Sequence, residues 1–247
     1  MLLSAPGLSI SGAAASENQH ELVKGAAMIV TQCWDDGVED DIRLADILRR
    51  YKAKATFNLV PGHYKKKRET AYTFKSPSGI TKAVYRLAID DLKSTYEGFD
   101  IAGHSMTHPS PNAIPLEAWR SEVADCKKWL EDFFGFGVRG FAYPFGQYSD
   151  PVKAVVRECG HTYARTVVNA SHPFPPADPM ALPCQCHFLS PDFMGKFEAA
   201  RDEDGIFYFW GHSYELCTEP MWADFAARIK AISETPGVQW AFVADLI

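Results

Sequence analysis

Along this chain, short apolar runs of strand length take turns with amphipathic stretches of helical period. A strand that is apolar throughout must be covered on both faces, and a helix after each strand supplies the cover. The pattern therefore predicts an α/β fold, a parallel sheet wrapped by helices. "AAMIVTQC" reads as the first strand, with a helix around "DIRLADILRRY" behind it. "KATFNLV" is the second strand, a helix is expected through "VYRLAIDDLKSTYE", and "FDIAGH" is the third strand. The clearest helix is "LEAWRSEVADCKKWLEDFF", where Leu116, Trp119, Val123, Cys126, Trp129, Leu130 and Phe133 recur at helical spacing. Strands at "GVRGFAYP", "TYARTVV", "GIFYFWGH" and "VQWAFV" alternate with helices near "DPVKAVVRECG", "DFMGKFEAARDE" and "MWADFAARIKAIS".

Two connections break this rhythm. Residues 61–84 contain the basic run "HYKKKRE", and residues 168–189 carry Pro173, Pro175, Pro176, Pro179 and Pro183. Structureless loops of that length are uncommon in compact domains and tend to be functional. The basic run reads either as a solvated face or as a rim that attracts an anionic glycan. No repeat or linker divides the chain, and 247 residues fit one domain over residues 26–247. Residues 1–25 are expected to be a tail or leader. A cytoplasmic location is favoured over export, because no basic segment precedes the apolar start. The net charge of −6 argues against nucleic acid as a partner, and no apolar run is long enough to span a membrane. Six cysteines stand without zinc-ribbon or C-x-x-C spacing and read as reduced thiols.

The residues that can do chemistry gather after strands. Asp35 and Asp36 follow the first, His104 and His108 the third, Pro144-Phe145-Gly146 the fourth, and His212 a late one. In parallel barrels the C-terminal strand ends share one face, where active sites are built. Two adjacent carboxylates repel, so Asp35-Asp36-Gly37 is either a solvated turn or a site where a metal supplies the counter-charge. His104 and His108, four residues apart, can reach one ion. With Asp36 they would form a two-histidine, one-carboxylate set that leaves positions open for water and substrate. His20, His63, His161, His172 and His187 have no ligand spacing and are given no metal role.

Trp34-Asp35-Asp36-Gly37 resembles the T-F-D-D-G motif of the polysaccharide deacetylases, the NodB-homology group in carbohydrate esterase family 4. "HSMTH" is similar to their H-[S/T]-x-x-H, "AYPFG" to R-x-P-[Y/F]-G, and "FWGHS" to the late motif with the catalytic histidine. The matches run in order from Ile29 to His212. This resemblance implies a distorted (β/α) barrel, expected to have seven strands. It implies Asp35 as general base, and Asp36, His104 and His108 as ligands of a divalent ion, zinc first, with cobalt or nickel as alternatives. Ser105 would brace the histidine loop, Pro144 and Gly146 would line the groove, and the Phe145 backbone amide would help hold the oxyanion. His212 would protonate the leaving group. The implied reaction is removal of acetyl groups, N-acetyl before O-acetyl, from a glycan or oligosaccharide.

The chain departs from the family pattern at two places. Ala142 stands where the family has the arginine that orients the base, and Arg165, at a neighbouring strand end, is the expected replacement. The family's aspartate-and-tryptophan motif, which tunes the acid histidine, is not recognisable between Val167 and Leu189; Glu215 is a candidate substitute. Tyr214 reads as a rim aromatic or a sugar platform. Two other functions stay open: a glycan-binding protein that has lost catalysis, and a metal-dependent amidase acting on a small non-sugar substrate.

Overall fold

A computed structural model of the chain describes residues 28–203 and 205–247; the expected tail at residues 1–25 lies outside them. Eleven strands are found among the described residues: β1 (Met28–Asp35), β2 (Thr56–Leu59), β3 (Thr70–Lys75), β4 (Thr81–Tyr85), β5 (Asp100–Gly103), β6 (Gly140–Ala142), β7 (Tyr163–Asn169), β8 (Leu182–Cys184), β9 (Cys186–His187), β10 (Ile206–Gly211) and β11 (Val238–Trp240). The helices are α1 (Asp41–Arg50), α2 (Leu92–Tyr96), α3 (Leu116–Phe134), α4 (Asp150–Glu158), α5 (Phe193–Glu203) and α6 (Glu219–Glu234).

The main sheet is parallel and runs β8-β7-β6-β5-β2-β1-β10-β9, with β11 beside the first residues of β1. This nearly closed ring has eight strands, not the seven expected. The extra strand arises because Gln185 interrupts the run from Leu182 to His187. The part before Gln185 pairs with β7 and the part after it with β10. Gln185 itself stitches the gap: its backbone amide donates to the Tyr208 carbonyl (2.8 Å), its side-chain amide to the Ile206 carbonyl (2.7 Å), and its Oε1 accepts from the Tyr208 amide.

Strand parity sorts β1 into two faces. Val30 and Trp34 pack into the core under the helices, with Leu44, Leu48, Leu130, Phe225 and Ile229. Ile29 and Cys33 pack into the interior of the ring, with Tyr163, Leu182, Cys184 and Tyr208. The α3 residues Trp119, Val123, Cys126 and Leu130 are all buried, as their spacing predicts.

The first long connection holds the antiparallel hairpin β3–β4, in a sheet of its own. The helix expected through "VYRLAIDDLKSTYE" is only α2 and a preceding 3-10 turn. Its first half is extended, because Val84 belongs to β4, Arg86 bridges Val38, and Ala88 bridges Lys65. No described helix is long and apolar enough to cross a membrane.

Candidate active site

The same parity that buries Ile29 and Cys33 in the ring directs Asp35, the last residue of β1, to the interior. In β7, Arg165 shares a face with Tyr163; after β10, His212 continues the face of Tyr208 and Trp210. Three polar side chains therefore meet at one mouth of the barrel.

Asp35 is 3 % exposed and Arg165 1 %. One Arg165 Nη2 donates to Asp35 Oδ2. The contact is one-pronged: the other oxygen, Oδ1, accepts from the Asn58 side-chain amide (2.7 Å). Asn58 lies opposite Asp35 in the β1–β2 register. Ala142 and Arg165 are register partners on β6 and β7, so the guanidinium arises at the height of the missing arginine, one strand along. Burial pushes the Asp35 carboxyl up, but Arg165, His104, His212 and the Asn58 bond together hold it well below the usual range. It is ionised throughout the physiological range.

Asp36, His104 and His108 form a second group beside it. Asp36 Oδ1 lies 3.8 Å from His104 Nε2 and 3.7 Å from His108 Nε2, and the two ring nitrogens are 3.2 Å apart. His104 Nδ1 is 2.8 Å from the Ala142 carbonyl, which can only accept a hydrogen bond. The proton therefore sits on Nδ1, and the Nε2 lone pair faces Asp36 and His108. Burial lowers His104 to about 4 and brings His108 below its ordinary value, so both are neutral at pH 7, the ligating form. Two neutral imidazoles and a carboxylate suit zinc or another divalent ion with open coordination positions.

Backbone strain concentrates here. Asp36 (φ 80°), Ser105 (φ 62°), His108 (φ 61°) and Phe145 (φ 58°) are all left-handed without being glycine, each at a cost of roughly 1–3 kcal/mol. Ser105 Oγ accepts from the His108 amide (2.9 Å) and holds the histidine loop. Gly37 must be glycine: besides φ 64°, a Cβ there would lie 1.8 Å from the Tyr64 hydroxyl oxygen. Pro144 is buried, Phe145 is exposed with its ring 4.7 Å from that of His108, and Gly146 (φ 64°) abuts Val167.

His212 belongs to a third group. Its Nδ1 and its backbone amide both lie 3.1 Å from Glu215 Oε2, and its Nε2 faces Asp35 Oδ2 at 3.9 Å. Burial opposes the imidazolium, but Glu215 and then Asp35 raise it to about 9. Glu215 in turn is lowered to about 2: against burial, His187 and His212 stabilise its anion. His187, given no metal role in the sequence for want of ligand spacing, places its Nε2 2.9 Å from Glu215 Oε2. Its Nδ1 accepts from the Leu189 amide (3.2 Å), which leaves Nε2 to donate to Glu215.

These groups open into a cavity of about 790 Å³, lined by Asp35, Asp36, His108 and His212 and walled by Tyr72, Arg86, Tyr143, Phe145, Trp210 and Tyr214. Tyr214 is buried against Tyr72 and Phe74 of the hairpin, with ring centroids 5.6 and 5.0 Å away. Trp210 lies 4.8 Å from the Arg165 guanidinium. Asn58, Arg86 and His187 were missed in the sequence. Only Asn58 left a signal there, as a polar residue inside the second apolar strand.

The sequence profile described as "Polysaccharide deacetylase" matches residues 23–164, more than half of the chain. The chain belongs to the polysaccharide deacetylase family. Solved structures carry the same fold. The family 4 carbohydrate esterase from Streptomyces lividans, in complex with acetate, is 16% identical over 89% of this chain and 95% of that one, with a TM-score of 0.56. The family 4 acetyl xylan esterase from Clostridium thermocellum, in complex with a cobalt ion, is 16% identical over 88% and 89%, with a TM-score of 0.55. A match to the Streptococcus pyogenes deacetylase PplD, 22% identical with a TM-score of 0.46, spans 56% of this chain and 55% of that one. No curated protein sequence matches. The region of the chain beyond residue 164, which holds Arg165, His187 and the His212–Glu215 pair, lies outside the profile match.

Proposed function

We propose that this protein is a metal-dependent hydrolase that removes acetyl groups from a glycan, N-acetyl in preference to O-acetyl. The observation that carries the reading is the arrangement around Asp35: an ionised carboxylate between a cluster of three side chains able to ligate a metal and an imidazolium, in one cavity. Asp36, His104 and His108 would hold a divalent ion, zinc first and cobalt as an alternative. Such an ion supplies Lewis-acid polarisation of the acyl carbonyl and acidifies water. Asp35 accepts the proton of the attacking water, oriented by Arg165 and Asn58. The Phe145 backbone amide donates to the carbonyl oxygen as it gains charge. His212 holds a proton on Nε2, on the Asp35 side, and gives it to the departing nitrogen or oxygen, leaving acetate and a free amine or alcohol. Pro144, Gly146 and Tyr214 shape the wall, and Ser105 supports the histidine loop.

Acetate release from N-acetylated and O-acetylated oligosaccharides, before and after chelation, tests this directly. Activity is expected to disappear on full metal removal and to return with zinc or cobalt. Turnover that survives metal removal overturns the mechanism. A cavity of about 790 Å³ also lies within the range of small-ligand sites, which favours a second reading, an amidase acting on a small non-sugar acyl amide. Turnover of simple acyl amides with none on any glycan would select it. Oligosaccharide binding without any hydrolysis would select a catalytically lost binding protein.

A further inference from the structure

Two of the three carboxylates at the mouth of the barrel meet a side chain at hydrogen-bond distance, and the third stands between two imidazoles. Asp35 meets Arg165, Asp36 faces His104 and His108, and Glu215 meets His187 and His212. Among the described residues, Arg86 is a cationic side chain of the cavity wall with no carboxylate within ion-pair distance. Its Nη1 donates to the backbone carbonyl of Asp36 (2.9 Å), and its guanidinium lies 5.7 Å from the centre of the Tyr72 ring. That single bond leaves most of its five N–H donors uncommitted. A partly desolvated charge of this kind is costly unless a ligand brings the opposite one.

The sequence beside Arg86 has the same sign. Its backbone amide donates to the Glu69 carbonyl (2.8 Å), and two residues on, Ala88 bridges Lys65. The run Lys65-Lys66-Lys67 therefore lies along the segment that carries Arg86. All three lysines are exposed and none is in an ion pair among the described residues, whereas the adjacent Arg68 is held by Glu39 and Asp91. In a chain of net charge −6, a cationic ridge leading to an unpaired guanidinium is a local reversal of sign.

We propose that the cavity takes acidic glycans, in which a carboxylate or sulfate on or next to the acetylated sugar is received by Arg86, while Lys65–Lys67 draw the chain in. This rests on the deacetylase reading above and specifies its substrate. A planar guanidinium fork matches an oxyanion with two donors. A cationic approach raises the encounter rate at low salt and loses that advantage as salt screens it.

The test uses the full chain, zinc-loaded, and three acetylated oligosaccharides of equal length: neutral, uronate-bearing and sulfated. At low ionic strength kcat/KM for an anionic oligomer should exceed that for the neutral one by about tenfold to a hundredfold, the yield of charge-assisted hydrogen bonding. Comparing the uronate with the sulfate tells which oxyanion is used. Arg86→Gln should bring the ratio close to one, whatever the absolute rate. Lys65→Gln, Lys66→Gln and Lys67→Gln together should lower only the anionic rate, by a few-fold, and flatten its salt dependence. A wild-type ratio near one, or a ratio that survives Arg86→Gln, overturns the proposal. Should none of the three release acetate, it is the deacetylase reading that fails. Calorimetric binding of an unacetylated uronate oligosaccharide then decides the role of Arg86: binding lost in Arg86→Gln supports it, and equal or no binding overturns it.

Discussion

Two clusters of the same composition, two histidines and one carboxylate, flank Asp35, and they differ in how they hold protons. In Asp36, His104 and His108 the carboxylate stands 3.7 and 3.8 Å from the rings, beyond hydrogen-bond length, and burial keeps both imidazoles neutral. In His187, His212 and Glu215 the contacts are 2.9 and 3.1 Å, each able to hold a proton, and His212 is raised to about 9. Ligand identity therefore does not separate the cluster proposed to bind metal from the cluster proposed to hold a proton; spacing and local charge do. The first cluster presents lone pairs to a shared space. The second has closed that space with hydrogen bonds, which suits a group whose task is to give up a proton.

The strongest way to break the comparison is to remove a donor from the first cluster. Asp36→Ala should abolish stoichiometric metal and lower acetate release by about a thousandfold or more, whereas Glu215→Gln should keep the metal; metal analysis after dialysis checks both. Arg165→Ala comes next. It should lower turnover by roughly ten- to a thousandfold with metal content unchanged. It also leaves Asp35 buried without its cation, at a cost of about 3–5 kcal/mol, read as a fall in the denaturant midpoint. Arg165→Lys should restore part of both.

Smaller effects probe the second cluster. Activity that needs protonated His212 falls as pH rises through about 9, and in Glu215→Gln that limb should move down toward 6.5. The sign for stability follows from the raised folded value: the contribution of His212 is full below about 6.5 and is lost as pH passes about 9. Denaturation of metal-free protein across that window should show a larger loss in wild type than in Glu215→Gln, where Asp35 alone remains beside the ring. Least of all, His187→Phe should shift the limb in the same direction by a fraction of that amount, since it removes only the donor that holds Glu215 in place. An unmoved limb would mean that Glu215 keeps its position without His187.

The sequence announced what local order encodes. Asp35 and Asp36 end an apolar strand, His104 and His108 follow another, and both sets land on the C-terminal face of the sheet. Arg165 was readable because β6 and β7 are neighbours in sequence and in space, so an arginine one strand along could be placed at the right height. His187 was not readable: it meets Glu215 from a two-residue strand 28 positions earlier, and nothing in the spacing marks the encounter. The β3–β4 hairpin was hidden for a different reason. Its first strand is exposed or half-exposed along its length, so it lacks the buried face that makes a strand visible as a pattern. The segment from Val84 to Tyr96 carries a helical period, yet its first half is held extended by bridges to Val38 and Lys65, contacts that no local propensity encodes.

Gln185 makes the closure of the barrel depend on one side chain. A side-chain amide adds to the backbone bonds at this joint, donating to the Ile206 carbonyl and accepting from the Tyr208 amide. Hydrolysis of that amide to glutamate would replace the donor facing the Ile206 carbonyl with an acceptor and set two oxygens against each other. Gln185→Glu should therefore loosen the seam, detectable as faster amide exchange along β9 and β10 than in the unsubstituted chain.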